Sequence, residues 1–185
     1  VYCSDFMSDD DARAKLMGEI EGETLIEPRL IRYRTGRRRK TWDKNVVALG
    51  LASGFVEPLE STSIHLIMIG VTRLMQLFPF AGISLAAVDR YNRQADDELE
   101  KIRDFIILHY KATERTDSPF WDRVREMGIP DSLAQRIALF RESAQVYQAP
   151  GELFQVDSWL QVLLGQRVQP QAFHHMGRLM PPQQL

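Results

Sequence analysis

Apolar positions along this chain change their period part-way through. From about Thr62 onward they recur at helical spacing. "TSIHLIMIGVTRLMQLF" puts Ile64, Ile67, Val71, Leu74, Met75 and Phe78 on one face, and Pro79 ends the run. That face is expected to be core, with Met68 and Met75 filling gaps. "SLAAVDRYNRQADDELEKIRDFIILHYKA" predicts a long helix capped by Ser84, its later apolar positions Leu99, Ile102, Ile106 and Tyr110 keeping the period. "SPFWDRVREMG" carries Ser118 as cap, Pro119 at the first helical position and Gly128 as stop. "DSLAQRIALFRESAQVY" starts at Asp131 and is expected to bury Leu133, Ile137, Phe140 and Ala144, and "DSWLQVLLG" runs from Asp157 to Gly165. The tail "PPQQL" is expected to fray.

Before Pro58 the pattern is shorter and more alternating. "VYCSDFM" reads as a strand. "SDDDARAKLMGEI" then reads as a helix, with Ser8 as N-cap, Asp11 at the capping-box position and acids filling the first turn. "LIEPRLIRYRTGRRRKTWDKNVVALG" reads as strands turned at Gly36 and closed by Gly50. The fold class expected is therefore α+β. Residues 1–58 read as the strand-rich end of one module, and 59–185 as a mainly α-helical module.

Composition narrows the function classes. Lys plus Arg number 23 and Asp plus Glu 25, a net charge of −2, which does not suit a dedicated nucleic-acid binder. The basic run Arg37, Arg38, Arg39 and Lys40 reads as a solvated hairpin. Cys3 is the only cysteine, which fits a reducing, cytoplasmic setting. No secretory leader is apparent, and no apolar run approaches the ~20 residues of a membrane span. The chain begins at Val1, without Met, and is expected to lack the N-terminal part of its protein. Adjacent His174 and His175 do not share a face, so no metal site is expected. His65 reads as a packing residue that could approach a bound group.

The segment "FVEPLESTSIHLI" carries the candidate chemistry. A helix start leaves amides without intrahelical partners at the positive end of the dipole, which suits an anion. Ser61 or Thr62 can cap one amide. Gly50 and Gly54 would admit close approach of another molecule, and Pro58 would fix the direction of Glu60. An anion and the Glu60 carboxylate would repel on one side of this turn, so the amides should face one way and the carboxylate the other. The plain alternative is that "ESTS" only caps a helix.

"TWDKNVVALGLASGFVEPLESTSIHLI", with Trp42, Asn45, Gly50 and "FVEPLEST", resembles the signature of the flavin-dependent tryptophan halogenase family. "RDFIILHYKATERTDSPFW" and "SWLQVLLGQRVQP" resemble later segments of that family, in the right order. The resemblance implies an FAD-binding module packed on a helical substrate module. It implies that reduced FAD, supplied by a separate flavin reductase, and O2 oxidise chloride or bromide. The hypohalous acid formed then passes through a tunnel to an aromatic substrate.

By the same resemblance, Glu60 is the catalytic carboxylate, Thr62 and Ser63 hold the halide through their amides, and Gly50, Ser63 and Ile64 border the cofactor. His109, Tyr110, Phe120 and Trp121 border the substrate. Several positions depart from the family. Ser63 stands where glycine is frequent, which adds a side chain and disfavours positive φ. His109-Tyr110 stands where tryptophan-specific members tend to have two tyrosines, and Thr116 near where some place an acid. An indole-like substrate is therefore expected over free tryptophan. No G-x-G-x-x-G and no counterpart of the family's catalytic lysine occur here, so residues 1–185 alone are expected neither to hold FAD tightly nor to halogenate. The other readings are a flavin-dependent monooxygenase without halide chemistry, kept open by Ser63, and a non-catalytic helical interaction module.

Overall fold

The computed structural model describes residues 1–57, 59–173 and 175–179. It is mostly helical, with few and short strands. Helix α1 spans Asp9–Glu19, α2 Ser63–Gln76, α3 Leu85–Lys111, α4 Pro119–Glu126, α5 Asp131–Ser143 and α6 Val156–Gly165. The strands are two residues each: β1 Gly36–Arg37, β2 Trp42–Asp43, β3 Val46–Val47 and β4 Gly54–Phe55. They pair antiparallel as β1 with β4 and β2 with β3. Pro58, His174 and the tail from Met180 lie outside the described residues, so the expectations placed on them are not addressed.

Helix α3, 27 residues and about 40 Å long, is the spine. Its Leu99, Ile102, Phe105, Ile106 and Leu108 are buried with Leu133 and Phe140 of α5 and Trp159 and Leu163 of α6. Phe105 stacks on Phe154 at 3.8 Å and meets Trp159 at 4.9 Å in the favoured edge-on geometry. On the other side of α3, Asn92 Oδ1 accepts the amides of Thr41 and Trp42 at 2.8 Å each, and its Nδ2 donates to the Trp42 carbonyl. One side chain thus pins the β2–β3 hairpin, with Trp42 packed edge-on against Tyr91. The basic run is tied down too: Arg37 reaches Asp96 at 2.8 Å and Glu100 at 2.9 Å.

Several expectations do not hold. Residues 1–7 form a turn and not a strand, because the Cys3 carbonyl accepts the amides of Phe6 and Met7. The apolar face expected to bury α2 is largely exposed: Ile64 is 71% exposed, Met68 63%, Met75 71% and Phe78 50%. Helix α2 buries only the narrow line of Leu66 and Gly70, where Leu49 and the Tyr91 hydroxyl come close. In α5 the fully buried positions include Arg136, whereas Ile137 and Ala144 are only partly buried. No helix among the described residues is long and apolar enough to cross a membrane.

Candidate functional site

The "FVEPLEST" segment leaves β4, passes a 3-10 turn over Leu59–Ser61 and enters α2. Val56 and Leu59 pack against the core, while Glu57 is half-buried and Glu60 exposed. Glu60 has φ 64 and Ser61 φ 52. Consecutive left-handed residues that are not glycine are uncommon, and each costs about 1–3 kcal/mol. A helix cap alone does not require this. Thr62 occupies the N-cap without a side-chain cap hydrogen bond, contrary to the expected role of Ser61 or Thr62. The first i→i−4 bond of α2 runs from the Leu66 amide to the Thr62 carbonyl, so the amides of Ser63, Ile64 and His65 precede the helical ladder. Ser63 is itself helical. The positive φ anticipated as a difficulty there falls instead on Glu60 and Ser61.

Two contacts fasten the bend to the last turn of α3. Glu60 Oε1 lies 3.2 Å from His109 Nε2. Glu57 Oε1 accepts the Tyr110 hydroxyl at 2.6 Å. Burial, and then this bond to Glu57, push the Tyr110 phenol well above its ordinary value, so it keeps its proton and remains a donor. Glu57 did not figure among the candidate residues. The signal was there in two acids three apart facing two adjacent polar rings, but the pairing is tertiary.

Tyr110 leads into an aromatic group. It lies near-parallel to Trp121 at 6.3 Å and edge-on to Phe120 at 6.1 Å, and Phe120 and Trp121 meet at 4.9 Å. Phe6 packs edge-on to Phe120, and the Arg115 guanidinium lies 4.2 Å over the Trp121 ring. Thr116 is exposed between Arg115 and Asp117. Arg115 engages the Asp117 carboxylate at 2.6 Å and holds it below the usual carboxylate range. His65 Nε2 is 3.5 Å from Glu98, which also takes Arg73 at 2.8 Å. Among the described residues no His, Cys, Asp and Glu cluster suits a metal ion.

Gly50 has φ 56, and a Cβ there would stand 2.4 Å from Ile67 Cγ1. The close approach comes from α2 of this same chain, which itself requires glycine. Gly50→Ala should cost about 1–2 kcal/mol in backbone strain alone and displace Ile67. Hydrogen exchange should show weakened protection in the first turns of α2, only partly recovered by adding Ile67→Ala.

The sequence profile of the family described as tryptophan halogenase matches residues 1–182. The 7-chloro-L-tryptophan 6-halogenase KtzR of Kutzneria sp. (strain 744) is 38% identical over 139 residues, 74% of this chain and 27% of that protein. The tryptophan 7-halogenase RebH of Lentzea aerocolonigenes is 36% identical over 143 residues, 76% of this chain and 27% of that protein. Among solved structures, Xcc4156, a flavin-dependent halogenase from Xanthomonas campestris, superposes with a TM-score of 0.94 at 47% identity, covering 97% of this chain and 36% of that one. BrvH, a flavin-dependent halogenase from Brevundimonas sp. BAL3, gives a TM-score of 0.94 at 44% identity, over 100% of this chain and 37% of that one. The chain thus spans about a quarter of the curated relatives' length.

Proposed function

We propose, from the premise that this chain belongs to the tryptophan halogenase family, that the full-length protein is a flavin-dependent halogenase acting on an aromatic, indole-like substrate. The observation that carries this reading is the strained Glu60–Ser61 bend, which brings a carboxylate and the start of α2 together at a conformational cost that capping does not explain.

The residues around the start of α2 fit an anion and the edge of a flavin. The amides of Ser63 and Ile64 precede the helical ladder, and the Ile64 side chain offers 71% of its surface. Thr62 and Ser63 amides would hold chloride or bromide, Ser63 and Ile64 would border the ring system of FAD, and Gly50 would keep α2 in place beside it. Reduced FAD, supplied by a flavin reductase, provides the oxidising chemistry with O2 that turns halide into hypohalous acid. At the substrate, the carbon–halogen bond forms as the oxygen–halogen bond breaks. The ring carbon's proton passes to Glu60 and on to the departing hydroxide, which leaves as water, so Glu60 ends the cycle as a carboxylate. Tyr110, Phe120 and Trp121 would form the aromatic wall, with Arg115 positioned over Trp121. The exposed apolar face of α2 would be covered by the FAD-binding module, outside residues 1–185, and the catalytic lysine would likewise come from outside these residues. We place the protein in the cytoplasm, where the reductase and a reducing environment are at hand.

The test supplies the full-length protein with reduced flavin, O2, halide and an indole. The expected product replaces hydrogen by chlorine or bromine and shows the isotope doublet in its mass spectrum, only when that halide is present. A product that gains oxygen alone would establish the oxygenase reading instead. Ser63 keeps that reading open through its side chain at the anion position and not through its backbone, which is ordinary helix.

A further inference from the structure

We infer that the cavity between α3, α5 and α6 is an internal hydration chamber, in which a cluster of ordered waters supplies the hydrogen bonds that Trp159 Nε1 and Glu152 Oε1 do not find within the fold. None of the residues lining it has a part in the halogenation proposed above, and the chamber does not depend on that reading.

Among the described residues, Trp159 Nε1 and Glu152 Oε1 are buried without a hydrogen-bond partner. The first only donates, and the second, as a carboxylate oxygen, only accepts. Native folds leave few such groups unpaired, because each has given up its water for nothing in return. Neither can turn to a new partner. The indole is held under the Arg136 guanidinium at 3.9 Å and against the Phe105 ring at 4.9 Å. Glu152 is held at its other oxygen by Arg136 Nη2 at 3.1 Å and by the Ala149 amide at 2.7 Å. The polar neighbours are committed elsewhere. Arg136 Nη1 donates to the Tyr147 carbonyl and lies 3.1 Å from Oε1 outside hydrogen-bond geometry. Ser132 donates to Asp104, and Lys101 Nζ reaches Asp97 at 2.5 Å and the Pro150 carbonyl at 2.6 Å.

Trp159 and Glu152 line one cavity of about 150 Å³, well above the ~10–15 Å³ that a single water needs, so several waters fit. The lining selects the guest. An apolar guest would leave the indole N–H and the carboxylate oxygen unpaired. Lys101 and Arg136 are balanced there by Asp104 and Glu152, so neither an anion nor a cation gains net attraction. A neutral molecule that both accepts and donates meets both needs, and water does so at the smallest size. The cluster accepts from Trp159 Nε1–H at one wall and donates to Glu152 Oε1 at another. Solvent thereby ties α6 to the connection that precedes it.

The test uses the full-length protein in two ways. A crystal structure that orders internal water should show waters within hydrogen-bond distance of Trp159 Nε1 and of Glu152 Oε1, and crystals pressurised with xenon should take up none in this cavity. A dry cavity, xenon inside it, density for an ion or an organic molecule, or a protein group bonded to the two atoms overturns the inference. In solution, 15N-tryptophan labelling, with Trp159→Phe to assign the signal, reads the same contact. The Trp159 indole proton should give an NOE at the water frequency opposite in sign to its ROE, the mark of a water that stays bound. The signal should persist in Ser132→Ala, which removes the nearby hydroxyl that could relay it. No water NOE, equal signs, or loss of the signal in Ser132→Ala counts against bound water and overturns the inference as well.

Discussion

Glu60→Gln in the full-length protein should lower kcat for halogenation by about a hundred- to ten-thousand-fold, the usual worth of a positioned general base. The substitution is unusually clean here. Gln has the same size and the same unbranched stem, so the cost of φ 64 at this position is unchanged. Its amide oxygen can take the place of Oε1, 3.2 Å from His109 Nε2, which preserves the contact with α3. What is lost is the charge and the capacity to take a proton. The KM for the aromatic substrate should therefore move little, and hydrogen exchange in α2 and α3 should match the parent protein. Steady-state rates by product mass, with exchange measured in parallel, separate the cases. Turnover retained in the Gln variant would leave Glu60 without a catalytic role. If the full-length protein also showed no flavin-dependent product of any kind, a helical interaction module would be the better reading.

The helices were legible in the sequence where a side chain signs their start. Ser8, Ser84 and Ser118 each accept the amide their position predicts, from Asp11, Ala87 and Phe120. Burial was legible only where the covering partner lies within this chain. The period of α3 identified Leu99, Ile102 and Ile106 correctly. The same reasoning misjudged α2, because periodicity identifies an apolar stripe and not what lies against it. At the site, the residue types around Glu60 could be read from the "FVEPLEST" segment, but its left-handed backbone could not. Glutamate has no preference for that region, and the contacts around the bend, Val56 and Leu59 on the core and Glu57 and Glu60 against α3, are tertiary. The inward Arg136 escaped for a related reason: a charge at a core position is interpretable only with its partner in view.

That partner sets the second large effect, on stability. Glu152→Ala should weaken the α3–α5–α6 body by about 3–5 kcal/mol, the cost of leaving one member of a buried ion pair uncompensated. The Arg136 guanidinium lies between two rings, 3.9 Å over Trp159 and 4.3 Å over Tyr147, and its side chain is 9% exposed. It donates to Glu152 Oε2 and to the Tyr147 carbonyl, both at 3.1 Å. Glu152, whose side chain is 1% exposed, also accepts the Ala149 amide at 2.7 Å, so it organises the connection between α5 and α6 as well as neutralising the charge. Its Oε1 sits at ion-pair distance from Arg136 without hydrogen-bond geometry, and together with Trp159 it borders a cavity of about 150 Å³. Removing the carboxylate leaves a desolvated guanidinium and an orphaned backbone amide in one step. At about 1.4 kcal/mol per decade, protection of the amides in 131–165 should fall by roughly two to three and a half orders of magnitude in hydrogen exchange. The double replacement Arg136→Met with Glu152→Leu should cost less than Glu152→Ala alone, because it removes both charges and fills the space with apolar volume. If instead the double variant is worse than the single, the pair contributes net attraction beyond its own desolvation, and the guanidinium's stacking on Trp159 and Tyr147 is what the fold cannot lose.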